Sequence, residues 1–160
     1  MKYCYECGTK LIEKELKDEG LIPYCPSCNE YRFPIYSAAI SVVILNKDKT
    51  KGLLIKQYGK SNYRLVAGYI NKGESAEEAL IREMKEEIGV APIFFKLNAT
   101  RYFERTNTLM INFYAILDSE DINSNYEIDS YSWIDINDCV EALNEAKLAC
   151  EFFKIYLNNN

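Results

Sequence analysis

Histidine is missing from this 160-residue chain. Its absence excludes Ser-His-Asp and Cys-His nucleophilic catalysis and every histidine metal site, so acid–base or metal chemistry must fall to carboxylates and thiolates. No apolar run approaches the roughly 20 residues that span a bilayer, and the opening MKYCYECG lacks the apolar core of a signal peptide. These absences predict a cytoplasmic protein with no membrane partner. Positive charge is also in deficit. The 19 Lys and Arg stand against 24 Asp and Glu, for a net charge of −5 and a pI near 4.9, which disfavours nucleic acid as a partner. What is present is a folding composition, 48% hydrophobic and 13% aromatic, which excludes disorder. The length suits one main domain with a small appendage.

Four of the six cysteines sit early, as Cys4-x-x-Cys7 and Cys25-x-x-Cys28, with seventeen residues between the pairs. Each tight turn offers two thiolates, and two such knuckles close a tetrahedral S4 shell around Zn²⁺. A closed shell leaves no position for water, so this zinc is expected to be structural. Two redox dithiols or disulfides are the alternative, disfavoured in a reducing compartment. Residues 1–34 carry Lys2, Lys10, Lys14, Lys17 and Arg32 against Glu6, Glu13, Glu15, Asp18, Glu19 and Glu30, which is no basic patch. The expected use of this zinc ribbon is packing or a homodimer contact rather than nucleic-acid reading.

Residues 35–160 form the expected second domain. SAAISVVILN, GLLIKQY and YRLVAGYI read as strands, 75–88 as a helix, FFKLNATRYF and TLMINFYAIL as a paired antiparallel set, and SYSWI as a short strand. The tail from about Asp138 to Leu157 reads as a helix with Cys139, Leu143, Ala146, Cys150, Phe153 and Leu157 on one face, making the last two cysteines core thiols. Strands, helix, strands, helix predict an α+β fold, an αβα sandwich with a mixed sheet.

The helix at 75–88 is unusual in its charge. Ser75 and Glu78 form a capping box at its start and Gly89 supplies the left-handed cap at its end. Glu83, Glu86 and Glu87 share an arc of about 100°, while Ile81, Met84 and Ile88 occupy a neighbouring arc that anchors the helix to the sheet. A solvated acidic face is the bland reading. But the three carboxylates repel one another by a few tenths of a kcal/mol per pair, in a last turn where the helix dipole also disfavours them. A divalent cation would convert that repulsion to attraction, and hard oxygen ligands select Mg²⁺ or Mn²⁺.

Gly68, five residues, Glu74, seven residues, then Arg82-Glu83-Met84-Lys85-Glu86-Glu87-Ile88-Gly89-Val90 match G-x5-E-x7-R-E-U-x-E-E-x-G-U, with U apolar. The chain thus resembles the Nudix hydrolases. The resemblance implies an α/β/α sandwich that hydrolyses a nucleoside diphosphate linked to another moiety. It implies Glu83, Glu86 and Glu87 as Mg²⁺ or Mn²⁺ ligands, with the Gly68 carbonyl as a further one. Glu74 and Arg82 resemble the pair that braces the loop, and Arg82 is expected opposite the metal arc. The general base would be Glu83, Glu87 or Glu127, six residues before Trp133.

A four-cysteine ribbon ahead of such a domain, and Leu65-Val66-Ala67-Gly68-Tyr69-Ile70, which looks like L-x-A-G-F-V rather than the commoner P-G-G, resemble the NADH pyrophosphatase group. NADH or a related dinucleotide is therefore the expected small-molecule substrate. That group's S-Q-P-W-P-F-P element is missing; Thr100-Arg-Tyr-Phe-Glu-Arg-Thr-Asn-Thr108 stands in its place. Tyr69, Arg101, Tyr102, Phe103 and Arg105 remain candidate substrate contacts, with an inward-packing edge strand as the alternative. Two other functions fit the resemblance: removal of an NAD cap from RNA, and non-catalytic sensing of ADP-ribose or a nucleotide sugar. The complete carboxylate set disfavours sensing.

Overall fold

The computed structural model describes residues 1–160, which separate into a unit of Met1–Tyr36 and a unit of Ser37–Asn160. In the first, β1 (Ile12–Leu16), β2 (Gly20–Cys25) and β3 (Glu30–Tyr31) form a small antiparallel sheet. The two Cys-x-x-Cys segments fold alike. Gly8 N–H donates to the Cys4 carbonyl and Asn29 N–H to the Cys25 carbonyl, both at 2.9 Å, and Gly8 and Asn29 are both left-handed, at φ 71° and 60°. Gly and Asn tolerate that backbone better than any other residues. Cys4, Tyr24 and Cys25 are the only buried hydrophobic residues of this unit. So little core cannot hold thirty-odd residues without a staple.

The second unit is a mixed sheet with helices on both faces, an α+β fold. Its strands are β4 (Ser37–Leu45), β5 (Lys51–Gln57), β6 (Val66–Tyr69), β7 (Phe94–Phe103), β8 (Thr108–Ile116) and β9 (Ile128–Asp135). Their order is β7-β8-β4-β5-β9, with β6 also on β4, and β4 runs parallel to β8. The near-continuous apolar run of β4 suits a central strand covered on both faces. One edge of β4 is shared: Ala39–Val42 pair with β6, while only Ile44 and Leu45 pair with β5. The sheet therefore splays between β5 and β6. The 13-residue helix α1 (Ala76–Ile88) packs its Ala79, Leu80, Met84 and Ile88 against Ile40, Val42, Ile55 and Val66 on one face. On the other face Cys139, Phe152, Phe153 and Tyr156 pack on Val43, Leu45 and Leu54.

The expected tail helix is two helices, α2 (Cys139–Ala142) and α3 (Lys147–Asn159). Between them Asn144 N–H donates to Glu141 and Ala146 N–H to Leu143, three-residue turns that stop the first helix. The break re-phases the apolar face. In one continuous helix Cys139 and Phe152 would lie about 140° apart, yet here both are buried, while Leu157, expected on the buried face, is exposed. Cys139 and Cys150 are buried free thiols in this core. The strand expected over YRLVAGYI begins only at Val66, and Arg64 contributes a single bridge to Ile55. No helix is long and apolar enough to cross a membrane.

Candidate functional site

The four sequence-predicted cysteines come together. Cys4 Sγ lies 3.9 Å from Cys28 Sγ and Cys7 Sγ 3.4 Å from Cys25 Sγ, and all four sulfurs fall within 4.8 Å of one another. A tetrahedral S4 shell with Zn–S of about 2.3 Å has sulfur–sulfur edges of about 3.8 Å, so the arrangement is compatible with a zinc ribbon. Hydrogen bonding between Cys7 and Thr9 holds the Cys7 thiol down to about 6, while the neighbouring Cys7 sulfur and burial push Cys28 up to about 12. The buried Arg32 donates from Nε to Cys4 Sγ at 3.3 Å and pairs with Glu6 and Glu30. Its Nε–H donation to Cys4 Sγ orients that thiolate, while Glu6 and Glu30 hold the guanidinium in place.

The second site is built on α1. Its capping box forms as expected, with Ser75 N–H donating to the Glu78 carboxylate at 2.8 Å and Glu78 N–H to the Ser75 hydroxyl at 3.2 Å. Gly89 closes the helix at φ 74°. Within this frame Arg82 departs from expectation. Its Nε and Nη2 grip Glu74 as a fork at 2.8 and 3.0 Å, which is the predicted brace. Nη2 also donates to the Tyr69 carbonyl at 2.9 Å, and Nη1 donates to Glu83 at 2.7 Å and to Glu86 at 3.0 Å. All five guanidinium N–H donors are used. Arg82 is thus beside the carboxylate arc and not opposite it, because its four-residue offset from Glu86 sets the two side chains only about 40° apart. Arg82 thus places a positive charge against Glu83 and Glu86.

Glu83 is 13% exposed and lies under Gly68: a Cβ added there would sit 1.9 Å from Glu83 Oε1 and 2.0 Å from its Cδ. Gly68 is the residue that lets the β6 backbone approach the carboxylate. Because the obstacle is the end of a side chain, Gly68→Ala should fold but displace Glu83. The expected result is a loss of about 100-fold in turnover with a thermal midpoint near that of the parent; comparable turnover in the two proteins would contradict this role for Gly68.

Glu87 lies deeper. It is 4% exposed, and Gln57 Nε2 donates to its Oε2 at 3.0 Å. Burial first, then the charges of Glu83 and Glu127, push its carboxyl up to about 8. Glu127 accepts from the Tyr58 hydroxyl at 2.9 Å, just ahead of β9. A carboxyl raised from 4.5 in the unfolded chain to about 8 in the folded one binds more protons when folded. Its contribution is therefore fully present below the lower value and lost as pH rises through the upper. The metal-free protein should melt at progressively lower temperature from about pH 5 to about pH 8, with Mg²⁺ or Mn²⁺ restoring more at the alkaline end. A calorimetric midpoint that does not move over this range would refute it. The glutamates are not drawn into one tight cluster; the four cysteines are the only group of three or more Cys, Asp or Glu whose ligand atoms all lie within 4.8 Å.

The candidate substrate residues divide between the two faces of the sheet. Tyr69, Ala39, Met110 and Arg101 form one cross-strand row, on the α3 side, where Arg101 Nε pairs with Glu151 at 2.5 Å. Phe103 alternates onto the same face and Tyr102 onto the α1 face. Tyr102 is exposed and donates to Asn107 Oδ1 at 2.7 Å, and Arg105 sits in the short 3-10 turn Glu104–Thr106. These residues therefore do not make a single wall. Sequence reasoning did not single out Gln57 or Tyr58, since nothing local in GLLIKQYG distinguishes them from a strand end.

A family model for the NUDIX domain matches residues 35–153. The chain is 23% identical over 157 residues to the NAD-capped RNA hydrolase NudC of Pseudomonas aeruginosa, covering 98% of this chain and 55% of that protein. It is 29% identical over 154 residues to the human NAD-capped RNA hydrolase NUDT12, covering 91% and 33%. It thus spans about half the length, or less, of these curated relatives. Among solved structures, a MutT protein from Methanosarcina mazei superposes with a TM-score of 0.63 at 23% identity, over 78% of this chain and 96% of that one. The NUDIX domain of Shewanella oneidensis NrtR, complexed with ADP ribose, gives 0.61 at 18% identity, over 84% and 94%. With its loop-helix-loop carboxylates set on a mixed sheet between helices, and the family model spanning most of its length, the chain belongs to the NUDIX domain family.

Proposed function

We propose that this chain is a divalent-metal-dependent diphosphatase, hydrolysing the phosphoanhydride bond of a nucleoside diphosphate linked to a second moiety. One observation carries the reading: Glu87 is a buried carboxylate on the same helix face as Glu83 and Glu86, and its hydrogen-bond donor is a neutral amide. Burying like charges together is costly unless a cation joins them. Glu83, Glu86 and Glu87, with the Gly68 carbonyl, would hold Mg²⁺ or Mn²⁺. When bound, the ion supplies neutralisation of diphosphate charge and a water acidic enough to attack at neutral pH.

The chain's own groups do the rest. Arg82 and Glu74 clamp the loop after Gly68 to the helix, so that Glu83 keeps its place under β6. A proton from the attacking water passes to Glu83, Glu87 or Glu127. The Cys4, Cys7, Cys25 and Cys28 shell takes structural Zn²⁺ and has no part in the chemistry.

NADH or a related dinucleotide is the substrate class we favour, on the L-x-A-G-F-V-like segment ending at Ile70; Tyr102, on the α1 face, and Arg105 are its candidate contacts. Removal of an NAD cap from RNA is the second reading, supported by the alignment to NAD-capped RNA hydrolases along nearly the whole chain. A panel of NADH, ADP-ribose, dinucleoside polyphosphates, nucleotide sugars and NAD-capped RNA, with product identification, tests both. Turnover confined to NADH-like compounds, with no salt-dependent RNA binding, rejects the second reading. No diphosphate cleaved with either Mg²⁺ or Mn²⁺ rejects both.

A further inference from the structure

Three consecutive residues at the end of β5 each donate a hydrogen bond to a different carboxylate. Gln57 Nε2 reaches Glu87 at 3.0 Å, the Tyr58 hydroxyl reaches Glu127 at 2.9 Å, and Gly59 N–H reaches Asp129 at 2.7 Å. A register shift between Lys56 and Gln57 sets Gln57 opposite Ile128, so the turn lies against the strand start that carries Glu127 and Asp129. One turn thereby ties α1 to β9.

Two features set this turn apart from ordinary packing. Tyr58 is left-handed at φ 56°, followed by Gly59 at φ 67°. Glycine adopts that backbone freely, but a bulky aromatic does not, and such conformations persist where the surroundings hold them. With its side chain largely in solvent, at 64% exposed, Tyr58 gains no burial to offset the strain. What it gains is the bond to Glu127. Gln57 is 7% exposed, a position where an apolar side chain would serve a core, yet it carries an amide aimed at Glu87.

The donors also differ in kind. Glu74, Glu83 and Glu86 are held by a guanidinium, whereas Glu87 and Glu127 are held by an amide and a phenol. A neutral donor fixes a carboxylate without adding a counter-charge beside it. We infer that the Gln57–Tyr58 turn is a positioning device of the cation site, orienting Glu87 and Glu127 through uncharged donors so that both carboxylates serve one divalent ion. Neither residue touches the reacting atoms. The inference rests on the metal-dependent reading above.

The test is Mn²⁺ titration of the metal-free full chain without substrate, followed by loss of the free-ion electron paramagnetic resonance signal. Gln57→Leu keeps the buried volume and Tyr58→Phe keeps the ring, so both should fold, with melting midpoints within about 4 °C of the parent. Each should raise the half-saturating Mn²⁺ concentration by about ten-fold, and the double variant by more. Hydrolysis should fall at limiting metal and recover when Mn²⁺ saturates, with KM for the dinucleotide unchanged. Tyr131→Phe, on β9 and outside the turn, should bind Mn²⁺ as the parent does. A half-saturating Mn²⁺ concentration equal to the parent's in both Gln57→Leu and Tyr58→Phe, in a protein whose parent binds Mn²⁺, overturns the inference alone. A parent that takes up no Mn²⁺ overturns the metal-dependent reading and this inference with it.

Discussion

Glu87→Gln should abolish hydrolysis while making the metal-free protein more stable at alkaline pH. The two effects have one cause. Glu87 is almost fully buried beside Glu83 and Glu127, and its carboxyl holds its proton up to about 8. Its ionised form is therefore unfavourable in the empty fold and is expected to be rescued only by a cation. An amide of the same size keeps the packing and can still accept the Gln57 bond, but it carries no charge to bind the ion. Turnover should fall on the order of 10³-fold, and the alkaline melting midpoint should rise.

Glu86→Gln should lose turnover comparably through the same ligand set, but without the stabilisation. Glu86 is 57% exposed and shares Arg82 with Glu83, so no buried charge is relieved. Steady-state hydrolysis and calorimetry of the two variants separate these outcomes. Near-normal activity in both would falsify the carboxylate assignment.

The second large effect concerns the cysteine unit. Chelating the zinc proposed for it, or Cys25→Ser, should unfold Met1–Tyr36 while Ser37–Asn160 stays folded. The ribbon buries almost no apolar side chains besides its own cysteines. The larger unit instead has two clusters of buried side chains, one on each face of its sheet. Structural zinc contributes about 10–16 kcal/mol in small zinc-finger peptides, far more than so small a core provides. Amide NMR spectra of the treated protein should lose the dispersed signals of the first unit only, with about one equivalent of zinc released per chain. A metal-free, reduced chain that keeps those signals would show that the fold does not need the ion.

How much of this was legible beforehand follows the range of the interactions. Ser75 and Glu78 cap a helix three residues apart, and Gly89 closes it one residue past the end; both signals act inside one turn of chain and both formed. The boundaries of β7 and β8 followed from alternation and turn residues. Each Cys-x-x-Cys knuckle was equally local. Arg82 differs from expectation because its donors beyond the Glu74 brace reach Glu83, Glu86 and the Tyr69 carbonyl together, its offset of four residues from Glu86 setting it beside the carboxylate arc. The apolar spacing of the tail is compatible with one continuous helix; in the fold it breaks between Leu143 and Ala146, and Cys139 and Phe153 from the two resulting helices both close on Gly52, within 3 Å of where a Cβ would stand.

By itself, then, the sequence determined the family resemblance, the helix that carries the carboxylates and the two thiolate turns, since each is written in residues that meet within a few positions of one another. Only the tertiary structure decided how those charges are partnered. The Gly68 backbone approaches Glu83, Gln57 reaches Glu87 across thirty residues, and Tyr58 reaches Glu127 across sixty-nine. Contacts of that separation depend on strand order and register, which bring distant residues together through the cooperative packing of the whole sheet and leave no local trace in the chain.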